Sequence, residues 1–215
     1  MSSRIELKNK AKEMIKSNLF QCFAVWLITL GASNIPAVLL IKAEEYTFLA
    51  VIYSLLTTAW SILLLPMYTG MKLFYLELSD GNGADLNNLI HPYTNGSMLE
   101  IIKARLLSIL YIFLGVICFV IPGIYLALKY AMIEYVIADD KEMKYDAAMK
   151  RSGGIMKNQK GRLIVLVLSF IPWFLLVGIT LGIAFVYVGP YFEATMVNFY
   201  KDIKLKKERE AADFQ

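Results

Sequence analysis

Residues 106–138 form a run of 33 in which only Lys129 and Glu134 are charged. As one straight helix the run would be about 50 Å long, against a bilayer hydrocarbon core of about 30 Å. Something must break it, and Ile121, Pro122 and Gly123 supply the break, because proline removes a backbone donor and glycine tolerates a reversal. The run is therefore expected to fold as a hairpin of two helices of about 16 residues each. Residues 163–200 pose the same length problem, with a matching solution at Thr180, Leu181 and Gly182. Further on, Pro190 frees a backbone carbonyl in the last helix, which kinks helices and is a device that membrane transporters use beside ion sites.

Composition agrees with a bilayer rather than with water as the solvent. Hydrophobic residues make up 58% of the 215 and charged ones 19%, outside the range of soluble domains. An aromatic content of 13% excludes a disordered chain. The expected fold is all-α, a polytopic helical membrane protein of six spans arranged as three hairpins, each preceded by a basic amphipathic segment. Residues 1–16 form an amphipathic surface helix through Ile5, Leu7, Ala11, Met14 and Ile15. Residues 17–80 form the first hairpin, with a polar turn at 42–45 and a stop at Gly81, Asn82 and Gly83. The first span is expected to be retained rather than cleaved. Residues 84–138 hold a connector and the second hairpin, 139–200 a connector and the third, and 201–215 a cytoplasmic tail.

Laying Gly123 on Gly182 also pairs Ile124 with Ile183 and Glu134 with Glu193, an internal repeat offset by 59 residues. Orientation follows from the basic residues. Six spans put residues 1–16, 72–105, 139–162 and the tail on one side, and these hold 20 of the 22 Lys and Arg. Lysine and arginine accumulate on the cytoplasmic side, so both termini are expected there, in the plasma membrane.

The second half of the chain resembles the bacterial membrane proteins of the domain of unknown function 975 family. The strings that carry the likeness are FVIPGIYLALKYAM, YVIADD, LVLSFIPWFLLVGITLGIAF and PYFEATMVNFY, with MKNQKGR ahead of the fifth span. Two places depart from the family's pattern. Ile171-Pro172-Trp173 stands where Ile-Gly-Trp is usual, and Asp139-Asp140-Lys141 where Asp-Asn-Pro is usual. The resemblance implies a multi-span plasma-membrane protein of bacteria, and it brings no catalytic residues.

Ionisable groups within a bilayer face the protein interior, where they mark a pathway or a structural pair. The candidates are Lys129, Glu134 and Glu193, with Asn198 nearby in sequence. Both glutamates lie 11 residues beyond the expected outer turns, about 16 Å along a helix and so near mid-depth. Either the group is a polar cluster that binds a proton, a cation or an amine, or Lys129 simply pairs with one glutamate as a structural contact. Pro122, Gly123, Gly182 and Pro190 are the expected helix breaks.

Other chemistry finds little support. His91 is the only histidine, which closes off zinc sites and triads built on paired imidazoles. Cys22 and Cys118 sit in apolar runs and read as small hydrophobes. No Ser-Lys, His-Glu-x-x-His, Gly-x-Ser-x-Gly or P-loop pattern occurs, so no enzyme, cofactor or metal is expected. The basic residues flank spans, which argues against a nucleic-acid partner. The expected partners are the lipid bilayer and, through the basic tail, anionic lipid, or else another membrane protein. Oligomeric state is not legible. The function classes that remain are a non-enzymatic accessory, assembly or immunity-type membrane protein and, as the alternative, a small transporter or permease.

Overall fold

A capping box opens the chain: the Ser3 side chain accepts from the Glu6 backbone N–H, and the Glu6 carboxylate takes the Ser3 N–H. Helix α1, Arg4–Ser17, follows from it. The computed structural model describes residues 2–39, 47–83 and 85–212. These residues are all-helical, with no strand among them.

Helix α2, Leu19–Leu39, and helix α3, Thr47–Leu63, lie side by side. Trp60 donates its indole N–H to the Ala32 carbonyl at 2.9 Å, and the Tyr53 hydroxyl donates to the Pro36 carbonyl at 2.7 Å. The polar turn expected at residues 42–45 lies outside the described residues. Leu64 alone separates α3 from α4, Leu65–Ser79, which carries Pro66 in its first turn, where the missing N–H costs nothing. A 3₁₀ turn at Leu86–Leu89 and the single turn α5, His91–Thr94, pack back on α4. A Cβ on Gly70 would lie 2.5 Å from the Asn88 carbonyl oxygen, so only glycine lets this connector close on α4.

The remaining helices are α6, Met98–Cys118; α7, Val120–Tyr130; α8, Ile133–Asp139; α9, Tyr145–Ile155; α10, Lys160–Leu168; α11, Ile171–Ile179; and α12, Phe185–Ala212. The core gathers around α4, α8 and the middle of α12, where Phe74, Tyr75, Ile133, Val136, Tyr191 and Phe199 are buried. Exposed large hydrophobics concentrate elsewhere, on α2, α3, the far half of α6, α7 and α11. Among the described residues, five helical stretches are long and apolar enough to cross a membrane: Leu19–Pro36, Phe48–Ser79, Met98–Cys118, Val120–Asp139 and Lys160–Ile179.

The reversals differ in detail from the sequence expectation. The second hairpin turns at Phe119, the one extended residue between α6 and α7 (φ −165°, ψ 151°), and Pro122 lies inside the first turn of α7. Proline in a first helical turn needs no hydrogen-bond partner, so Pro122 starts the helix instead of breaking it. Gly123 serves close packing. A Cβ there would overlap the Val116 side chain and approach the Val116 backbone nitrogen to 3.0 Å. Gly182 does make a turn, at φ +92° after Leu181 at φ +49°, a conformation for which glycine is suited. Pro190 lies within the unbroken α12, and the neighbouring Gly189 leaves the space that the Trp26 ring fills.

Two surface segments also differ. The apolar face of α1 is buried through Leu7, Ala11 and Ile15, packed on α12 and its neighbours rather than facing lipid alone. Ahead of the second hairpin the described residues hold only the short turns Leu86–Leu89 and His91–Thr94, and α6 starts at Met98, within the expected connector. His91 opens α5 with its Nδ1 buried and unpartnered.

The Gly189 contact yields a prediction. Gly189→Ala would force a methyl into the Trp26 indole, an overpacking cost of about 1–3 kcal/mol. For a chain of this size that corresponds to a fall in Tm of roughly 3–10 °C. Gly178→Ala, which meets open space, is expected to leave Tm within about 1–2 °C of the parent. Thermal unfolding of both variants in one detergent checks the difference.

Candidate functional site

Helix α4 is wrapped by other helices over most of its length, yet it carries a lysine inward. Lys72 is charge-paired with Glu193 of α12, and their side chains are only 9% and 14% exposed. The Tyr135 hydroxyl, from α8, donates to the same Glu193 oxygen, Oε2, at 3.4 Å, and the Lys72 ammonium lies 5.3 Å from the Tyr135 ring centroid. Three helices thus meet on one carboxylate. A buried ion pair needs such extra donors, because Coulomb attraction alone rarely offsets the loss of hydration.

From there a polar line runs toward the tail. Tyr135 stacks on Tyr200 at 5.7 Å, the Tyr200 hydroxyl donates to Asp139 Oδ2 at 3.0 Å, and Lys204 meets the same oxygen at 2.6 Å. A second pair joins Arg105 of α6 to Glu134 of α8, Nε to Oε1 at 3.4 Å. Above Glu193 a cavity of about 200 Å³ opens between α2, α4 and α12. It is lined by Trp26, Thr29, Phe185 and Glu193, with Ser33 and Tyr68 hydrogen-bonded to each other at 2.6 Å across its wall.

The four residues singled out from the sequence do not form one cluster. Glu193 pairs with Lys72 and Glu134 with Arg105, while Lys129 has no carboxylate within ion-pair distance among the described residues. Its ammonium sits 5.0 Å from the Tyr130 ring centroid, and its stem passes over Gly153, where a Cβ would lie 2.9 Å from the Lys129 Cε. The reason is local. Lys129 and Glu134 are five residues apart, which is not a face-sharing helical spacing, and the turn at Ala131 and Met132 separates them further. Asn198 instead reaches the Leu7 carbonyl at 3.4 Å and helps to hold α1.

Lys72 escaped the sequence reading because it stands near a glycine-rich stop and counts as a flanking basic residue. Its signal was the string MKLFYLEL, where apolar residues stand on both sides of the lysine. Among the described residues no three His, Cys, Asp or Glu side chains converge as a metal site would require.

At the tail side, α1 is locked to α12. The Ser2 N–H donates to Asp202 Oδ1 at 2.8 Å, and Arg162 of α10 donates to Asp202 Oδ2 at 2.9 Å. Burial by itself would raise the Asp202 carboxyl pKa, but these donors outweigh it and hold the group below its usual range. A cavity of about 700 Å³ lies beside this dock, between α1, the end of α4 and α12, with Asn198 in its wall.

Two expectations follow. Lys72→Met strands Glu193 and is expected to cost about 3–5 kcal/mol, whereas pairing it with Glu193→Leu should recover most of the loss. Lys129→Met should cost less than half as much as Lys72→Met. Chemical or thermal unfolding in detergent reads all three, and a larger loss from Lys129→Met would contradict the pairing described. For Asp202 the folded-state pKa is depressed, so its contribution is complete above the unfolded value of about 3.9 and is lost as pH falls through the lower folded value. Hydrogen exchange of α1 should therefore not change between about pH 5 and 8, once corrected for intrinsic rates, and should rise only in stronger acid.

Comparison with known proteins bears on the second half of the chain. No curated protein and no solved structure matches the chain. The family described as Protein of unknown function (DUF975) matches residues 101–207, from the start of α6 into the tail of α12, and over that half the chain belongs to this family.

Proposed function

We propose that this is a non-enzymatic integral protein of the bacterial plasma membrane that acts through contacts with lipids, peptides or other membrane proteins. The observation that carries the reading is how its interior charges are used. Lys72 with Glu193, and Arg105 with Glu134, are satisfied by each other, while the broad apolar flanks of α2, α3, α6, α7 and α11 remain exposed. Surface of that extent on a protein with a packed polar centre is contact surface. In this reading three hairpins enter the bilayer from the side that carries the basic connectors, and both termini are cytoplasmic, which the distribution of lysine and arginine supports.

A second reading, a small transporter, is favoured by one feature: the cavity of about 200 Å³ that reaches Glu193. A carboxylate, three hydroxyls and aromatic walls are groups that could receive a small cation or amine. Proton and cation flux into vesicles containing the purified protein separates the two readings. The contact reading expects no flux above that of empty vesicles, together with a lipid or protein that co-purifies in mild detergent. Flux that Glu193→Gln abolishes while the fold is kept would replace it by the transport reading.

A further inference from the structure

We propose that the second hairpin, α6 with α7, is re-entrant: it enters the bilayer from the basic side and turns back within the hydrocarbon, so that residues 119–123 touch lipid acyl chains instead of water. This rests on the reading of the chain as a bilayer-inserted protein.

Length is the first ground. Arg105 and Glu134 face each other at the base of the two arms, and Phe119 is 14 residues from one and 15 from the other. At 1.5 Å per residue the arms reach about 21–23 Å, short of a core of about 30 Å. The third hairpin is longer. From Arg162 to Ile179 there are 17 residues, about 26 Å along α10 and α11, and the turn through Gly182 extends the reach further.

Charge is the second ground. Lys129 lies ten residues from Phe119, about 15 Å along α7. With the tip at the far boundary, Lys129 would sit at the mid-plane without a carboxylate partner, and the Arg105–Glu134 pair would lie inside hydrocarbon. Sliding the hairpin toward the basic side by about 8 Å brings that pair to the interface and lets the Lys129 stem carry its ammonium outward. The side chain already points that way: it lines a cavity of about 350 Å³ with Tyr145, Asp146 and Lys150 of the basic connector α9.

The tip supplies the third. No charged residue stands between Arg105 and Lys129, and Phe119 and Ile121 are 76% and 80% exposed. A turn facing water would present such residues at a cost, while a turn in acyl chains presents them at a gain. Backbone groups are the usual objection to a turn in hydrocarbon, and here few donors are left over. The Phe119 N–H donates to the Gly115 carbonyl at 3.0 Å, the Gly123 N–H donates to the Phe119 carbonyl at 3.4 Å, and Pro122 has no N–H to satisfy.

The test uses a thiol that the chain already carries. Cys118 is exposed beside the tip, and Cys22 is buried. The Cys22→Ser protein leaves Cys118 as the single thiol, and the parent, whose Cys22 is buried, replaces it should that variant fold poorly. A companion carries Glu44→Cys as its only thiol, in the polar segment expected to face outward. Both are treated with a membrane-impermeant maleimide in intact cells and in inverted vesicles. In addition, Cys118 is spin-labelled in vesicles of phosphatidylcholine and phosphatidylglycerol.

The expected result is that Cys118 resists the reagent from both faces, reacts at least about tenfold faster once detergent removes the lipid, and collides more with oxygen than with a nickel chelate. Labelling from outside within about twofold of position 44 would overturn the proposal, since the hairpin would then cross. A spin label shielded from both colliders would also overturn it, because protein would then cover the tip, and an oxidised Cys118 dimer would name a second copy. Failure of the bilayer reading looks different: alkaline carbonate would then strip the protein from membranes, whatever Cys118 does.

Discussion

The pair formed by Lys72 and Glu193 is the interaction around which the rest is arranged. Neither charge is stable alone in an apolar interior, so α4 and α12 are obliged to meet at that level, and α8 is drawn in because Tyr135 supplies a further donor to the carboxylate. The aromatic residues that close over the centre, Phe74, Tyr75, Tyr191 and Phe199, exclude water from it. Exclusion of water strengthens each polar contact within and raises the penalty for losing one. The same packing ties the centre to the tail through Tyr200, Asp139 and Lys204, so a change at Glu193 has a contiguous route to the basic end of α12. Contiguity alone does not establish coupling, which needs an element with two states.

A second constraint acts from outside. In hydrocarbon a helix loses nothing by exposing leucine and isoleucine, and it loses much by exposing an unpaired backbone group. The chain meets both conditions at the third turn. The Thr180 hydroxyl donates to the Leu176 carbonyl at 2.9 Å and accepts from the Ala184 N–H at 3.0 Å, and the Gly182 N–H reaches the Val177 carbonyl at 2.8 Å. Around that satisfied backbone, Ile179, Leu181 and Ile183 project outward. Along α2 and α3 the hydroxyls are themselves satisfied within the helix: Thr29, Ser33, Thr58 and Ser61 each donate to the carbonyl four residues earlier.

Helical class and apolar blocks were legible because bilayer thickness turns a count of residues into a statement about geometry. The turn at Gly182 was legible for a related reason, since few residues other than glycine accept φ near +92°. Pro122 misled because proline both ends helices and begins them, and the side on which the helix lies is decided by packing. Here Gly115 and Gly123 bring α6 and α7 into contact: a Cβ on Gly115 would lie 3.1 Å from the Gly123 Cα, which leaves Phe119 as the residue that must turn. The polar centre was the least legible part. Glu193 was identifiable by its depth, but its partner lies 121 residues away on a helix whose burial depends on α8 and α12 closing around it. The apolar string MKLFYLEL sets this lysine apart from a flanking one, but nothing local names its partner.

The two later hairpins share a sequence repeat yet differ in what they can do, and the difference lies in one position. Displaced by 59 residues, Lys129 falls on Val188, and the ordered pair Glu134 and Glu193 stays aligned. Val188 is buried in an unbroken α12, so nothing between Gly182 and Glu193 resists insertion, and the carboxylate itself is accompanied inward by Lys72. In the second hairpin the lysine stands between the tip and the glutamate with no such companion, and the helix breaks just beyond it at residues 131–132. In a bilayer an uncompensated ammonium would limit how deep that arm goes, whereas a paired carboxylate would not limit the other in the same way. On the re-entrant reading the two hairpins thus differ by one cation: Lys129 holds one near its base, and Lys72 of α4 accompanies the carboxylate of the other.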